Sequence, residues 1–327
     1  MTTQPQISVI APVYNVERYF ERFLRSLLSQ TMREGVEFII VDDCTTDNCM
    51  ALLGRVLEDY PERRDQVRVL HNPHNMGLTC SRNAGLRAAQ GKYIYHCDSD
   101  DWLDERLLEA LHGEAERTAA DIVMCDAEMI YEDKTARYNA TDWTADKTAS
   151  LNDYINSDWT VVWNALVRKD VYDRNQISSP EHIAFCEDFH LMVRLCHCAK
   201  KIVHLPESLY FYNRTNLQSI THERNARRMN NELTTYNDII AFLKERNDFA
   251  PYRRAMNWRL LRAKLDLLFD ASQFDRYVSI NPECHADILS CPYYYPKMRL
   301  MAWCLTHHMG FVSRLMLALW KRNNKGA

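Results

Sequence analysis

The chain has 327 residues, 46% of them hydrophobic and 26% charged, as in a globular protein with one large domain and an appendage, or with two modest domains. Its formal net charge of −4 argues against a general nucleic-acid-binding protein, and its 8 glycines leave little room for glycine-rich phosphate loops. The 11 cysteines show no paired framework, which favours free thiols in a reducing cytosol. No signal peptide and no transmembrane helix are predicted.

Strands and helices alternate over the first hundred residues. Apolar runs rich in β-branched residues predict buried strands, and apolar residues at helical spacing predict helices between them. The strands are Ile7–Pro12, Val36–Val41, Val67–Leu70 and Tyr93–Cys97, and the helices are Glu17–Gln30, Asp47 to about Tyr60, and Thr79–Ala89. Asp47 is expected to cap the second helix and Gly91 to close the third. The alternation predicts an α/β protein with a Rossmann-like, mostly parallel sheet and helices on both faces.

The pattern becomes less regular in the second part of the chain. A strand is predicted at Ile122–Cys125, a helix at Asp188–His197 and a strand at Ser208–Tyr212. From about Asn225 the sequence is helical nearly to its end, with breaks at Asn281-Pro282 and between residues 292 and 296. The sequence therefore predicts two parts, residues 1–222 and a helical region of residues 223–327.

Polar side chains follow three of the predicted strands. They are Tyr14-Asn15, Asp42-Asp43, and the segment from Asp98 to Asp101. Ligands of parallel α/β sheets bind outside the carboxyl ends of the strands. We therefore expect these three strand ends to converge on one edge of the sheet and to form the functional site there.

The segment Asp98-Ser99-Asp100-Asp101 carries three carboxylates. Clustered carboxylates repel each other unless a cation lies between them. Hard oxygen ligands of this kind suit Mg²⁺ or Mn²⁺, whose coordination shell phosphate oxygens would complete. Helix capping is the alternative interpretation for Asp101 or Asp104, ahead of a helix predicted from Glu105.

Two further acidic pairs also have ordinary structural interpretations. Asp42-Asp43 precedes a turn, but a turn does not explain two carboxylates at a strand end, whereas recognition of the N3–H of uracil would. Glu187-Asp188 opens a predicted helix, where acidic residues complement the helix dipole, and taken alone this pair is a helix start. The nearby Cys186, His190 and Cys-His-Cys at 196–198 fit no standard zinc spacing.

Six segments occur in the order seen in family 2 glycosyltransferases. They are residues 7–15 (ISVIAPVYN), 38–47 (FIIVDDCTTD), 75–85 (NMGLTCSRNAG), 93–101 (YIYHCDSDD), Trp163-Asn164 and Glu187-Asp188. Over residues 7–221 the chain resembles the bacterial members that build surface polysaccharides. The resemblance implies a GT-A fold, Mn²⁺ or Mg²⁺, and inverting transfer of a hexose or N-acetylhexosamine. It implies a UDP-sugar donor and, as acceptor, the hydroxyl of a carbohydrate or lipid-linked glycan.

The resemblance also assigns roles to residues on the nucleotide side. Pro12, Tyr14 and Asn15 match the segment that lines the uridine pocket. Asp43, beside Asp42, matches the aspartate that reads uracil, and Arg82 matches an arginine beside the nucleotide. Cys44 and Thr45 stand where Gly and Ser are usual, which is a mild departure.

The metal and the catalytic base are assigned in the same way. Asp98 and Asp100 match the metal-binding DxD pair around Ser99, with Asp98 nearer the ribose. Asp188, next to Glu187, matches the catalytic base. The segment that closes over the diphosphate in many relatives is matched by Tyr212, Arg214, Ser219 and Thr221, although Arg214 is displaced by one position from the commonest Tyr-Arg spacing.

Two other classes of protein share parts of this pattern. A sugar-nucleotide pyrophosphorylase has a similar sheet but cradles its triphosphate in a glycine-rich loop, and residues 12–17 contain no glycine. A non-catalytic α/β module, such as a phospho-receiver or a degenerate sugar-nucleotide-binding protein, is the alternative from a different class. Receivers are much shorter, and a degenerate binder should have lost at least one of the carboxylates named above.

The end of the chain has a charge pattern of its own. From Pro292 onward there are six basic and no acidic residues, so the rest of the chain, with 34 basic against 44 acidic residues, carries −10. Apolar residues recur there at helical spacing, at Phe311, Val312, Leu315, Leu319 and Trp320. Two interpretations stand: an interfacial helix on the anionic inner face of the cell membrane, or an apolar face that packs on the catalytic domain. Arg314 interrupts the apolar run, so a membrane-spanning segment is not predicted.

Overall fold

A computed structural model describes residues 4–216 and 226–323 of the chain. The chain divides into two units, Met1–His222 and Glu223–Ala327. Of the elements that the structure describes, all nine strands lie in the first unit, and the second unit contains helices alone.

Strand and helix alternate at the start of the first unit, as the sequence predicts. The strands are β1 (Ile7–Val13), β2 (Val36–Asp42), β3 (Val67–His71) and β4 (Tyr93–His96). The helices are α1 (Glu17–Leu28), α2 (Cys49–Glu58) and α3 (Leu78–Ala88). In α1 the buried side chains recur at helical spacing, at Phe20, Phe23, Leu24, Leu27 and Leu28, so hydrophobic periodicity explains the helix.

The second half of this unit adds further strands and helices. The elements in chain order are β5 (Trp102–Leu103), α4 (Leu107–Thr118), β6 (Ile122–Ile130), β7 (Thr135–Tyr138), α5 (Lys147–Asn156), β8 (Ala165–Arg168), α6 (Lys169–Asn175), α7 (Glu187–Cys198) and β9 (Ile202–Asn213). The predicted strand at 208–212 is therefore the second part of a longer strand.

These strands form one sheet in the order β3-β2-β1-β4-β8-β6-β9-β5, with β7 paired to β6. Strands β1 to β4 are parallel to one another, with Ile7 opposite both Val36 and Tyr93. Strand β8 is antiparallel to β4 and β6, and β6 is parallel to β9. The carboxyl ends of β1, β2 and β4 consequently lie side by side, which places the polar strand ends together.

Helices cover both faces of the sheet. Alternate residues of β1 point to opposite faces, so Val9, Ala11 and Val13 join the hydrophobic cluster with α1, α2 and α4. On the other face α3 packs closely, since a Cβ added at Gly85 would lie 2.3 Å from Cγ2 of Ile10. The expected α/β class with a Rossmann-like sheet and helices on both faces is confirmed.

The second unit is a set of helices joined by short 3₁₀ turns. The helices are α8 (Ala226–Glu245), α9 (Arg253–Ala263), α10 (Phe274–Ser279), α11 (Pro296–Thr306) and α12 (Gly310–Asn323). Both predicted breaks are confirmed, because Asn281 adopts a left-handed conformation before a 3₁₀ turn and Pro296 opens α11. Within the described ranges, no helix combines the length and hydropathy that crossing a bilayer requires.

Three local predictions need correction. Asp47 does not cap α2 alone: its two carboxylate oxygens accept from the amide of Cys49 and from that of Glu17, the first residue of α1, at 3.1 and 2.8 Å. Gly91 does not close α3, which ends in an extended residue; its amide donates to Oγ of Ser8 at 2.8 Å, and an added Cβ would lie 2.5 Å from the Ser8 nitrogen. Close packing against β1 therefore explains this glycine.

The capping interpretation of the acidic segment is wrong for Asp101. Its buried carboxylate accepts from the Tyr210 hydroxyl at 2.6 Å and from the Asn213 amide at 2.7 Å, both on β9. The Asp104 carboxylate accepts a hydrogen bond from the amide of Arg106 at 3.0 Å, just ahead of α4, and so stabilises the turn that leads into that helix.

Candidate active site

The acidic turn, residues 98–101, follows β4 and is fixed from two sides. The hydroxyl of Ser99 donates to the carbonyl of Pro12 on β1 at 2.7 Å, and Asp101 is bound to β9. Ser99 and Asp101 therefore have structural partners. The turn presents its two remaining carboxylates, Asp98 and Asp100, from a rigid backbone.

The carboxylates of Asp98 and Asp100 are suited to a divalent cation. Burial raises the pKa of Asp100, and the charge of Asp98 raises it further. Oδ2 of Asp100 accepts one hydrogen bond, from Nδ2 of Asn216 at 2.8 Å. A cation between the two carboxylates would relieve their repulsion, and both oxygen donors are of the type that Mg²⁺ and Mn²⁺ prefer. In the described ranges, no group of three or more His, Cys, Asp and Glu side chains is arranged to hold a metal by itself.

One buried arginine connects the acidic turn to the start of α7. The guanidinium of Arg82, on α3, donates through Nη2 to Asp98 at 2.9 Å and through Nη1 to Asp188 at 2.6 Å. Nη1 also lies 3.5 Å from Oε1 of Glu187. The residue is 1% exposed. The structure thus brings together four residues that the sequence assigned to the site from three distant segments.

Burial sets the protonation of these carboxylates. It raises the pKa of Glu187 to about 7, the charge of Asp188 adds to this effect, and Arg82 opposes it. Burial also raises the pKa of Asp188, which Arg82 again opposes. For Arg82, burial disfavours the charge, but the carboxylates of Asp188, Asp98 and Glu187 outweigh it and raise the pKa. Asp188 has the shorter contact with Arg82, at 2.6 Å against 3.5 Å for Glu187, so the guanidinium opposes the effect of burial through a closer ion pair at Asp188.

The second group of predicted residues lies at the ends of β1 and β2. Asp43 accepts three hydrogen bonds, from Nδ2 of Asn72 at 2.7 Å and from the amides of Met76 and Gly77, both at 2.8 Å. A carboxylate offers about four acceptor positions, so Asp43 holds the loop ahead of α3 and keeps about one position for a ligand. Asp42 accepts from the Thr45 amide and is paired with His71.

Asn15 and Tyr14 complete this group. Asn15 adopts a left-handed conformation, with φ of 50°, and its side-chain oxygen accepts from the amide of Thr46 at 2.9 Å. The side chain of Tyr14 is 45% exposed beside it. The turn after β1 is therefore tied to the turn after β2, and it presents an aromatic ring to solvent.

Arg214 lies outside the cluster around Arg82. Its guanidinium carbon is 5.5 Å from the centre of the Tyr212 ring and 6.0 Å from that of Tyr131. Tyr212 in turn stacks on Trp163 at 5.5 Å. None of the described contacts joins Arg214 to the acidic turn, and the expected partners Ser219 and Thr221 lie outside the described residues.

Several residues of the site had no signal in the sequence. Asn216 bonds to Asp100, and Asn72 bonds to Asp43. The amide of Val162 approaches Oδ2 of Asp188 at 3.4 Å. A loop asparagine or a backbone amide has no distinguishing pattern in the sequence, and its hydrogen-bond partner is seen only in the fold.

The comparison with protein families decides the identity of the first unit. The model of glycosyl transferase family 2 matches residues 8–175, which is more than half of the chain. The chain belongs to glycosyl transferase family 2. The matched range contains the acidic turn, Arg82 and the pair Asp42-Asp43, and it ends before Glu187-Asp188.

Individual family members agree with this result. The chain is 33% identical to the glycosyltransferase EpsJ of Bacillus subtilis over 224 residues, which are 66% of this chain and 63% of EpsJ. It is 28% identical to a poly(ribitol-phosphate) beta-glucosyltransferase of Bacillus spizizenii over 211 residues, 63% of this chain and 32% of that protein. The chain thus spans less than two thirds of the length of both relatives.

A solved structure shows the same fold. The crystal structure of S. aureus TarS 1–349 in complex with UDP-GlcNAc superposes with a TM-score of 0.72 at 17% identity, covering 97% of this chain and 92% of that one. At this identity the likeness concerns the fold alone. It confirms the GT-A architecture, with a C-terminal helical region, that the resemblance implied.

Proposed function

We propose that this family 2 protein transfers a sugar from a UDP-sugar to an acceptor hydroxyl, with inversion at the anomeric carbon. The observation that carries the proposal is the arginine bridge: Arg82 holds Asp98, from the acidic turn, and Asp188, from the start of α7, on one buried guanidinium. A group for the donor diphosphate and a group for the acceptor proton are thereby held next to each other. Such positioning is what a direct displacement requires.

Asp188 is the proposed general base. Burial raises the pKa of Asp188 above that of a free aspartate, which increases its basicity, while the charge of Arg82 favours the ionised form that accepts a proton. The acceptor hydroxyl attacks the anomeric carbon from the face opposite UDP and gives its proton to this carboxylate. The amide of Val162 holds the second oxygen of Asp188 in place.

Asp98 and Asp100 are the residues that would hold Mn²⁺ or Mg²⁺. When bound there with diphosphate oxygens, the ion supplies positive charge for the leaving UDP. These oxygen donors fit such an ion. Two carboxylates whose mutual repulsion the cation relieves would supply part of its coordination shell, and phosphate oxygens would supply the rest. Arg214 is a second cation for the diphosphate in this proposal, and its buried Nε has no hydrogen-bond partner among the described residues.

The uridine is proposed to lie over the ends of β1 and β2, among Pro12, Tyr14, Asn15 and Asp42, with the remaining acceptor position of Asp43 facing the N3–H of uracil. TarS, which has the same fold, was crystallised with UDP-GlcNAc, and this supports a UDP-hexose or UDP-N-acetylhexosamine donor. The named activity of the Bacillus spizizenii relative supports a carbohydrate or lipid-linked glycan of the bacterial surface as acceptor. The free thiols include those of Cys44, Cys80 and Cys125, which supports a reducing cytoplasm as the compartment.

A hydrolysis screen tests the proposal without knowledge of the acceptor. Each UDP-sugar is incubated with the protein and Mn²⁺ or Mg²⁺, and released UDP is measured. One or a few donors should be hydrolysed slowly, and Asp65→Asn, at an exposed position away from the site, should match the wild type. Tight UDP-sugar binding without hydrolysis in any metal would favour the degenerate binding protein instead. No binding of any UDP-sugar would refute the proposed donor class.

A further inference from the structure

Helix α12 exposes its most hydrophobic side. Phe311, Leu315 and Leu319 follow one another at intervals of four residues, so they form one stripe, and their exposed fractions are 75%, 61% and 51%. The opposite side is buried through Ser313 and Leu317. This is the reverse of an ordinary amphipathic helix, which buries its large apolar side chains and exposes its small or polar ones.

The orientation of α12 is fixed by a specific contact. The hydroxyl of Ser313, which is fully buried, donates to the carbonyl of Met301 on α11 at 2.8 Å. A serine that is pinned against the neighbouring helix cannot turn outward without losing this bond. The stripe on the far side is therefore held toward solvent by the packing of α11 and α12.

Positive charge lies along one side of the stripe and at its C-terminal end. Arg314 and Lys321, seven residues apart, lie on the same side of the helix next to the stripe, and Arg322 lies at its C-terminal end; all three are exposed. From Pro292 to the end of the chain there is no acidic residue, although the carboxylate of Asp270 lies close enough to Lys321 to interact with its charge. The Arg314 guanidinium lies 5.5 Å from the centre of the Phe274 ring. A surface with apolar side chains at its centre and cations at its border matches the boundary between acyl chains and anionic headgroups.

We propose that α12 docks the protein on an anionic lipid bilayer, with Phe311, Leu315 and Leu319 in the interface and Arg314, Lys321 and Arg322 at the lipid phosphates. The helix has 14 residues, about 21 Å, and a bilayer core is about 30 Å thick, so α12 lies along the surface. This inference concerns the second unit and does not depend on the reaction proposed for the first.

A second copy of the chain is a poorer occupant of this stripe. It would bring the same three cations to the contact, and like charges at close range repel. One stripe of three side chains is also small against the roughly 800 Å² per partner of a stable interface. Charge complementarity therefore selects the lipid surface.

Vesicle flotation of the full-length chain tests the proposal. The wild type should float with vesicles of phosphatidylglycerol and phosphatidylcholine, and at least ~10-fold less with phosphatidylcholine alone or at high salt. The triple variant Phe311→Ser, Leu315→Ser, Leu319→Ser should lose at least ~10-fold in binding. Charge reversal at Arg314, Lys321 and Arg322 to Glu should lose about 100-fold or more, since each basic residue contributes about fivefold.

Matched control variants separate the loss of the stripe and its cations from a general loss of surface hydrophobicity or positive charge. Leu289→Ser removes a leucine that is 58% exposed elsewhere in the second unit, and reversal of three exposed cations of the first unit, Arg55, Arg64 and Lys134, removes equal charge. Both controls should float like the wild type. UDP-sugar hydrolysis without vesicles should be the same in all these proteins, so a failure there bears on the proposed reaction and not on lipid binding.

Three results would overturn the proposal. The wild type could fail to float at low salt, or the triple serine variant could float as well as the wild type. The third is sedimentation showing a dimer that the serine variant converts to monomers, without any vesicle binding. That outcome would assign the stripe to a second copy of the chain.

Discussion

Replacing Asp188 with asparagine isolates the proton-accepting role of the carboxylate. Asparagine keeps the size of the side chain and one oxygen for the amide of Val162, but it cannot accept a proton at neutral pH. Arg82 keeps a charged partner, because Asp98 remains at 2.9 Å. The fold should therefore persist, with a loss of about 1–2 kcal/mol of stability for the exchange of one charged hydrogen-bond partner.

The effect on the reaction should be much larger than the effect on stability. General base catalysis contributes on the order of 10²–10⁴ in rate, so sugar transfer should fall by that factor, or about 3–5 kcal/mol in the barrier. The pH dependence should also change. The charge of Asp188 helps to raise the pKa of Glu187 to about 7, so without it the pKa of Glu187 falls, and residual activity carried by Glu187 should persist to lower pH.

The assay pairs turnover with UDP binding. Transfer, or donor hydrolysis where the acceptor is unknown, is measured across pH for the wild type, Asp188→Asn and Asp100→Asn, and UDP affinity is measured by calorimetry with Mn²⁺. Asp188→Asn should change UDP affinity little, because the base faces the acceptor, whereas Asp100→Asn should weaken UDP binding and turnover together. Near-normal transfer by Asp188→Asn would show that the base has been misassigned and would direct attention to Glu187.

Three further predictions concern the candidate site, and a fourth concerns the packing of the sheet. UDP should bind more weakly in EDTA than in Mn²⁺ by calorimetry, and equal affinities would count against a metal at Asp100. Arg82→Met should lower the free energy of unfolding by about 3–5 kcal/mol at pH 7, because it leaves buried carboxylates without their cation. The loss should be smaller at pH 5, where these carboxylates can take up protons. Equal losses at both pH values in denaturant unfolding would contradict this account. The pKa of Glu187 rises from 4.5 to about 7 on folding, so between these pH values the native state binds more protons than the unfolded state. The free energy of unfolding should therefore fall by up to ~3 kcal/mol as the pH rises through this range. Glu187→Gln should flatten the dependence of stability on pH. Gly91→Ala should destabilise the protein by about 1–3 kcal/mol in thermal unfolding because its Cβ meets β1, whereas Gly113→Ala, with no atom within 4 Å of the new Cβ, should not; similar melting temperatures for both would refute the packing role of Gly91.

The fold followed from local patterns to a large extent. Periods of two and of about 3.6 in the apolar residues predicted β1 to β4 and α1 to α3, because each element buries one continuous set of side chains. Residues that also contact an element distant in the sequence were not predictable in the same way. Asp47 binds the first residue of α1 as well as that of α2, and Gly91 approaches Ser8, which lies 83 residues earlier in the chain.

The site was predictable as a region but not in its connections. By residue type alone Asp98, Asp100 and Asp101 are alike, and the structural role of Asp101 depends on Tyr210, which lies 109 residues further on. The contact of Arg82 with Asp188 spans 106 residues. Contacts of this range depend on the order of strands in the sheet, which the alternation of elements leaves open.

Because Arg82 bridges the buried carboxylates, folding of the site does not require that its ligands are bound. Buried carboxylates without a counter-ion would oppose folding, and many metal sites therefore form only when the metal arrives. Here the polypeptide brings its own cation, in the form of a guanidinium that no change in metal supply can remove. If the proposed ion and sugar nucleotide bind at this site, newly made chains would reach their final shape before either ligand arrives, even where divalent ions are scarce.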